Sequence, residues 1–268
     1  MIKAFLIAIS LWLTTVPVLA QSVLETPATG EILQGWQRAD GTRMAAIRIK
    51  LAPGWKTYWR SPGDAGIPPM FNWSGSGNLR GVGITWPAPQ VYPQNGMNTI
   101  GYKNEVILPL TIAPRTSGKP VKLRAALDIG VCKDICVPFE LKLKATLDNA
   151  DTKPTPAIAA ALAQRPLSGA EAGVRSATCH LTPKSDGFEI TASLTLPSTG
   201  GREYVIIEPG QTGLWMSETD TTRRGATLTA TGDLVPTGSG ALALDRSKIV
   251  ITVLGKTRAV EIKGCTPG

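Results

Sequence analysis

The chain has 268 residues, a formal net charge of +8 and a hydrophobic fraction of 43%. Its lysines and arginines are dispersed along the sequence, which argues against nucleic-acid binding. Glycine (28 residues) and proline (21 residues) are abundant and short alternating runs recur. This composition favours an all-β chain, and the length favours two β-sandwich domains.

The N-terminus has the pattern of an export signal. Lys3 precedes an apolar run over residues 4–16, and Val18-Leu19-Ala20 offers a small-x-small cleavage site before Gln21. We predict that residues 1–20 are a removed signal peptide rather than a membrane anchor, because the run is short. Export would place the four cysteines in an oxidising compartment, where disulfides are the default.

The first domain is predicted to span residues 21–150. Thr42–Leu51 and Tyr102–Ile112 alternate as strands, and Gln90–Ile100 is interpreted as a polar loop between them. Five of the six tryptophans outside the predicted signal peptide precede residue 90, and they fit either core packing or a surface that stacks on sugars or partners. They are Trp36, Trp55, Trp59, Trp73 and Trp86.

Two cysteines, Cys132 and Cys136, lie near the end of this domain. Apolar residues alternate on both sides of them, which predicts two strands joined at residues 133–135. Only a tight turn brings two cysteines so close in sequence to the roughly 3.8 Å Cβ separation of a disulfide. In this register Cys132 faces Cys136, and both share the parity of Asp128 and Glu140. Both sulfurs are therefore expected to point away from the core, unless a bulge at Gly130-Val131 reverses them.

Residues 151–172 read as a linker with one short helix over Ala157–Gln164. A second β-sandwich is predicted over residues 173–268. Its predicted strands are Arg175–Thr182, Gly187–Leu196, Glu203–Glu208, Ala226–Thr231, Lys248–Leu254 and Arg258–Lys263.

Cys179 lies on the first strand of the second domain and Cys265 follows the last. We predict a structural disulfide that joins the two ends of this domain. A metal site at Cys179-His180 is a weaker reading, because His180 is the only histidine and adjacent strand residues face opposite ways.

Few other chemistries fit the residues. A single histidine beside a cysteine of a predicted disulfide provides no catalytic triad, and the Cys132/Cys136 pair alone cannot complete a zinc site. We therefore expect no metal and no cofactor, which leaves thiol–disulfide exchange. Lys133 would favour a thiolate, whereas Asp134 and Asp128 would oppose it. The alternative is a purely structural disulfide. A bond that closes so short a loop, however, removes little conformational entropy from the unfolded chain.

Three segments carry a family resemblance: Gly54-Trp55-Lys56-Thr57-Tyr58-Trp59-Arg60, the Tyr102–Leu110 strand, and the hairpin with Cys132, Cys136 and Pro138. Together they resemble the periplasmic N-terminal domain of the DsbD/ScsB thiol-disulfide interchange family, over roughly residues 25–148. The second domain resembles the additional β-domain of the ScsB-like branch.

This resemblance implies an immunoglobulin-like sandwich in the periplasm. Its cysteine pair would take electrons from a membrane-embedded CcdA/DsbD-like donor and pass them to periplasmic thioredoxin-like proteins. It also implies a cap loop, which maps onto Gln90–Ile100. In DsbD the cysteines are more widely spaced and the cap presents a phenylalanine; here Met97 or Ile100 would shield the pair. By the same mapping, the shell around the cysteines would include Tyr58, Asp64, Tyr92 and Tyr102.

The resulting hypothesis is a monomeric electron carrier, free-standing or the periplasmic part of a longer protein, that acts as a thiol-disulfide oxidoreductase of the protein-disulfide reductase type. Cys132 is assigned the attack and Cys136 the resolving step, with the reverse order left open.

Two alternatives come from other classes. One is a periplasmic copper-handling protein that binds Cu(I) through Cys132, Cys136 and Met97. The other is a non-catalytic binding module that uses the Trp55–Trp86 aromatics.

Overall fold

The computed structural model describes residues 26–94, 96–148, 151–238 and 244–268. The predicted signal peptide lies outside these residues. The described chain is all-β with one α-helix, which confirms the predicted fold class. Within the described residues, no helix is long and apolar enough to cross a membrane.

The first sandwich contains ten strands in two sheets. The strands are β1 (Ala28–Gln37), β2 (Arg43–Leu51), β3 (Lys56–Tyr58), β4 (Met70–Asn72), β5 (Leu79–Ile84), β6 (Gln90–Gln94), β7 (Met97–Lys103), β8 (Glu105–Pro114), β9 (Val121–Cys132) and β10 (Cys136–Leu147). One sheet has the order β1-β2-β8-β5. The other has the order β10-β9-β3-β7-β6, with β4 also paired to β9.

Two predictions about the middle of this domain are wrong. Gln90–Ile100 is not a loop, because β6 and β7 pair as an antiparallel hairpin. This hairpin lies at the end of its sheet, and its exposed polar residues, such as Gln90, are what suggested a loop. Tyr102–Ile112 is not one strand either. The chain turns at Asn104, which has a positive φ of 64°, and passes from β7 in one sheet to β8 in the other.

A helix, α1 (Pro156–Ala163), follows the first sandwich and lies one residue from its predicted bounds. Its Ile158 is fully buried. A Cβ on Gly35 would lie only 3.0 Å from Ile158 Cδ1 and 2.5 Å from the Met44 carbonyl oxygen. The absence of a side chain at Gly35 therefore allows the helix to pack closely against the first sandwich.

The second sandwich also contains two sheets. Its strands are β11 (Leu167–Ser168), β12 (Ser176–Lys184), β13 (Gly187–Thr195), β14 (Tyr204–Glu208), β15 (Leu214–Met216), β16 (Asp220–Arg224), β17 (Thr227–Pro236), β18 (Val250–Leu254), β19 (Ala259–Lys263) and β20 (Thr266–Pro267), with a 3-10 helix at Arg246–Lys248. One sheet has the order β11-β19-β18-β14 and the other β15-β17-β13-β12-β20, with β16 paired to β17. All six strands predicted here are present.

Cys179 and Cys265 form the predicted disulfide, which closes a sequence separation of 86 residues. Cys179 is fully buried in the second core, and Cys265 packs against that core from the segment between β19 and β20.

The two sandwiches share apolar contacts. Ile206, Leu254 and Ala259 of the second sandwich belong to the core cluster of the first. At the same boundary, Arg60 of the first sandwich donates to Glu208 and Glu261 of the second, each at 2.8 Å from Nη2. The guanidinium also lies 4.3 Å from the centroid of the Trp59 ring. A shared core and a partly buried ion-pair network therefore fix the orientation of the two sandwiches.

Candidate functional site

The cysteine pair lies at the turn between β9 and β10. The strands pair in the predicted register, with Cys136 opposite Cys132 and Phe139 opposite Ile129. The two cysteines are joined as a disulfide with their Cα atoms 4.1 Å apart. Residues 133–135 form the turn, in which the Lys133 amide donates to the Ile135 carbonyl at 3.1 Å. The expected short-loop disulfide is therefore present.

The two sulfur-bearing residues differ in exposure. Cys136 is exposed, whereas Cys132 has 0% of its surface exposed. Both cysteines lie on the predicted face, away from the core, but only Cys136 is accessible there. No bulge causes this difference, because the β9–β10 register is continuous. Cys132 lies on the outer face as expected, but neighbouring residues of the chain cover that end of the sheet.

Tyr58 provides cover at Cys132, and Ile67 lies beside it over Gly130. A Cβ on Gly130 would lie 2.6 Å from Ile67 Cβ and 2.8 Å from the Tyr58 ring. Gly130 has the parity of Cys132 on β9, so both covering side chains lie on the same face as the cysteine. The missing side chain at Gly130 makes the space in which the Tyr58 ring reaches the disulfide.

Tyr58 contacts both sulfurs. Its hydroxyl lies 2.6 Å from Cys132 Sγ and 3.2 Å from Cys136 Sγ. The residue is 2% exposed, and this burial raises the pKa of its phenol. The hydroxyl therefore keeps its proton at neutral pH and is available as a donor to sulfur. Such a donor stabilises a thiolate more than a thiol, because hydrogen bonds to ionised groups are stronger.

The position of Tyr58 follows from that of β3, which lies between β9 and β7. Thr57 Oγ1 donates to the Gly130 carbonyl at 2.8 Å and ties β3 to the strand of Cys132. On the other side, a Cβ on Gly101 would lie only 2.0 Å from the Thr57 carbonyl oxygen. Glycine at 101 is therefore required for β7 to approach β3.

Basic and aromatic residues lie beside this site on the same face. Lys56 pairs in register with Cys132 and Lys103, and its ammonium donates to Thr99 Oγ1 at 2.9 Å. The Lys103 ammonium lies 4.4 Å from the Tyr92 ring centroid. Burial, followed by repulsion from Lys103, lowers the pKa of Lys56. Lys56 and Thr99 were not among the residues predicted from sequence; the alternation Lys56-Thr57-Tyr58 is the signal that places Lys56 on the face of Tyr58.

The other predicted shell and cap residues are dispersed. Tyr102 points into the first core and donates to the Pro87 carbonyl at 2.8 Å. Ile100 is also a core residue, with 7% exposure, while Met97 lies at the end of the β6–β7 hairpin with 45% exposure. Asp64 is exposed near the second sandwich. Lys133 and Asp134 are exposed in the cysteine turn itself.

Most of the early tryptophans pack inside the protein. Trp59 is fully buried, and Trp55, Trp73 and Trp86 pack against the first core. These positions agree with the core-packing interpretation.

In the part of the chain that the structure describes, no cluster of three or more His, Cys, Asp or Glu residues could hold a metal ion.

The fold and the site define a class of protein: a β-sandwich that presents a disulfide at a hairpin turn, with one sulfur exposed and the other held against a buried tyrosine. Residues 29–148 match the family model described as "Thiol:disulfide interchange protein DsbD, N-terminal". Over these residues, the first sandwich is a DsbD/ScsB-like N-terminal domain.

Solved structures extend the similarity of fold. The N-terminal periplasmic domain of ScsB from Proteus mirabilis superposes with a TM-score of 0.65 at 23% identity, covering 90% of this chain and 92% of that one. Both sandwiches are thus part of the shared fold. The reduced DsbD N-terminal domain of Neisseria meningitidis covers 44% of this chain and 86% of its own at 15% identity, with a TM-score of 0.26, too low to support a conclusion. No curated protein matched the chain.

Proposed function

We propose that this chain is a periplasmic thiol-disulfide interchange protein that relays electrons through Cys132 and Cys136. The observation that carries the proposal is the asymmetric disulfide: Cys136 is exposed to an incoming partner, while Cys132 is buried 2.6 Å from the Tyr58 hydroxyl. An exchange site requires one accessible sulfur and a second sulfur that leaves as a stabilised thiolate.

The reductive half of the relay begins at Cys136. A thiolate of the donor attacks Cys136 Sγ, the bond between Cys136 and Cys132 breaks, and Cys132 leaves as a thiolate that accepts a hydrogen bond from Tyr58. The donor's second thiol, as thiolate, then attacks the donor sulfur of the mixed disulfide. The donor ends as a disulfide, and the chain holds a dithiol that has gained two electrons and, from the donor or solvent, two protons.

The oxidative half reverses these roles. The Cys136 thiolate attacks the acceptor disulfide and releases one acceptor thiol. Cys132 then attacks Cys136 Sγ, which releases the second acceptor thiol and restores the disulfide. This scheme makes Cys136 the residue that bonds to partners and Cys132 the resolving residue, the reverse of the assignment favoured from sequence. Cys136 takes this role because only its sulfur is exposed. A partner's sulfur must approach the sulfur it attacks along the axis of the bond that breaks, and Cys132 is covered.

The family of the first sandwich supports redox partners of the kind proposed. We take the donor to be a membrane-embedded CcdA/DsbD-like protein and the acceptors to be periplasmic thioredoxin-like proteins. The predicted signal peptide and the periplasmic description of the Proteus ScsB domain support the location. Monomeric action is proposed as well, since relay through one exposed sulfur needs no second copy.

Trapping of mixed disulfides tests this function. In periplasmic extract, Cys132→Ala should leave Cys136 bonded to partner proteins that dithiothreitol releases. Cys136→Ala should trap far less, because the remaining sulfur is buried. The double variant Cys132→Ala/Cys136→Ala, which keeps the Cys179–Cys265 bond, is the matched control. If neither single variant traps a protein, the relay proposal fails.

A further inference from the structure

A cavity of about 400 Å³ lies between the two sandwiches, away from the disulfide. The segment 60–68 and the β6–β7 hairpin close it on the side of the first sandwich. On the other side it is bounded by β14 and by residues 214–219, which include β15. Both β14 and β15 are edge strands of their sheets, so the cavity opens between two unpaired strand edges.

The edge of β14 is only partly satisfied. The Val205 amide donates to Thr221 Oγ1 at 3.4 Å, and the Val205 carbonyl accepts from Thr219 Oγ1 at 2.5 Å. Val205 therefore directs its backbone groups away from the neighbouring strand β18, and by strand alternation Ile207 does the same. No residue that the structure describes bonds to the outward amide and carbonyl of Ile207.

The edge of β15 shows the same feature. The Ser217 amide donates to the Asp233 carbonyl, and the Gly213 carbonyl accepts from Thr237. Residues 213, 215 and 217 thus bond to β17, which leaves the backbone groups of Leu214 and Met216 directed away from that strand. Among the described residues none pairs with these groups. Unpaired edges of this kind are templates for an additional extended chain.

The charge and the exposed aromatic group of the cavity indicate the composition of such a chain. Three of the four charged residues that line it are acidic, and the single cation, Arg60, is engaged by Glu208 and Glu261. Asp64 and Glu218 line the cavity, and among the described residues neither has a cationic partner, although Glu218 accepts a hydrogen bond from the Asn98 side-chain amide. Trp215 is 45% exposed at the rim. Carboxylates beside an open indole ring suit a lysine or arginine side chain.

We propose that this cavity is a docking site for a short extended segment of a partner polypeptide that alternates apolar and basic residues. The segment adds a strand along the outward edge of β14 at Ile207, with a basic side chain placed between Trp215 and Asp64. Its apolar side chains occupy the cavity. This site is separate from the cysteine pair, so its occupancy does not require thiol exchange.

Calorimetric titration of the whole oxidised protein tests this proposal, with a blocked pentapeptide of alternating valine and lysine as the probe. We expect saturable binding to one site. Trp215→Ala and Asp64→Asn should each weaken it about tenfold, the ratio that corresponds to about 1.4 kcal/mol. Met70→Ala, which removes another exposed apolar side chain from the first sandwich, is the matched control and should leave binding unchanged.

Two modified peptides separate strand addition from simple charge attraction. N-methylation of the valines removes backbone donors and should abolish binding. Replacement of the lysines by glutamates should also abolish binding, because the acidic side chains that line the cavity would repel them. Cys132→Ser/Cys136→Ser should bind the original peptide normally, so a failed relay would not affect this test. The proposal is overturned if the valine-lysine peptide does not bind, if the N-methylated peptide binds equally well, or if the cavity variants bind like Met70→Ala.

Discussion

The ring of Tyr58 occupies the space that a side chain at Gly130 would need, since a Cβ at position 130 would lie 2.8 Å from the ring. The hydroxyl of the same ring reaches both sulfurs of the disulfide two residues further along β9. A glycine therefore determines how a tyrosine on a neighbouring strand meets the redox pair. This relationship links the local sequence of the hairpin to the chemistry of its cysteines.

Tyr58→Phe removes one hydrogen-bond donor from the site. A hydrogen bond to an ionised group contributes about 1.5–3 kcal/mol, so the pKa of the Cys132 thiol in the reduced protein should rise by about one to two units. Ultraviolet absorbance of the thiolate during a pH titration measures this change. Tyr92→Phe is the control, because the Tyr92 hydroxyl donates to Gln90 Oε1 instead of to sulfur. Equal pKa values in the two variants would show that Tyr58 does not stabilise the thiolate.

Gly130→Ala should displace the Tyr58 ring and Ile67 without altering either cysteine. We expect a loss of stability of about 1–3 kcal/mol, as in overpacked cores, and faster reaction of Cys132 with a thiol reagent in the reduced protein. Urea unfolding and alkylation kinetics measure these effects. Gly81→Ala is the matched control, since a Cβ there meets nothing within 4 Å. Unchanged alkylation of Cys132 in Gly130→Ala would contradict this account of its burial.

The two disulfides should respond differently to reduction. Mild dithiothreitol should open Cys132–Cys136 first, because Cys136 is exposed whereas Cys179 is fully buried. Removing Cys179–Cys265 by a double alanine substitution should cost about 4–5 kcal/mol, against about 2 kcal/mol for the shorter loop, in the chain-entropy model. Mass spectrometry after alkylation and urea unfolding provide the two measurements. Reduction of the buried bond first would refute the assigned order.

Arg60→Ala should loosen the boundary between the sandwiches. Loss of its hydrogen bonds to Glu208 and Glu261 should lower the free energy of unfolding by about 2 kcal/mol, a typical value for a partly buried charged pair. Urea unfolding measures this change. Arg48→Ala is the control, because its ion pair with Glu31 is more exposed and should contribute under about 1 kcal/mol. Equal losses in both variants would argue against a special role for Arg60.

Glu171, in the segment that follows α1, should give the stability of the protein a distinct pH dependence. The hydrogen bond from Arg165, followed by those from Ser168, lowers the pKa of Glu171 from 4.5 to about 2. Because the folded pKa is depressed, Glu171 stabilises the fold above pH 4.5, and this contribution is lost as the pH falls through about 2. Carboxyl NMR should show Glu171 titrating near pH 2, and higher in Arg165→Gln. A titration unchanged by Arg165→Gln would exclude the arginine as the cause.

The hairpin register was predictable because period-two alternation on both strands fixes which residues share a face, and the three-residue turn between Cys132 and Cys136 fixes the pairing. The burial of Cys132 was not, because Tyr58 contacts it from a strand more than seventy residues earlier, with Ile67 beside the ring over Gly130. Strand alternation assigns a residue to a face but does not show what packs on that face. The β6–β7 hairpin was missed for a related reason, since its polar, solvent-facing residues resemble those of a loop.

The shared core also has an evolutionary consequence. Ile206, Leu254 and Ala259 fill part of a core whose other residues come from the first sandwich. A substitution on either side of this boundary changes the packing available to the other side. The residues at the boundary should therefore be inherited as one set, and an exchange of the second sandwich between relatives should preserve stability only where the matching surface of the first is exchanged with it.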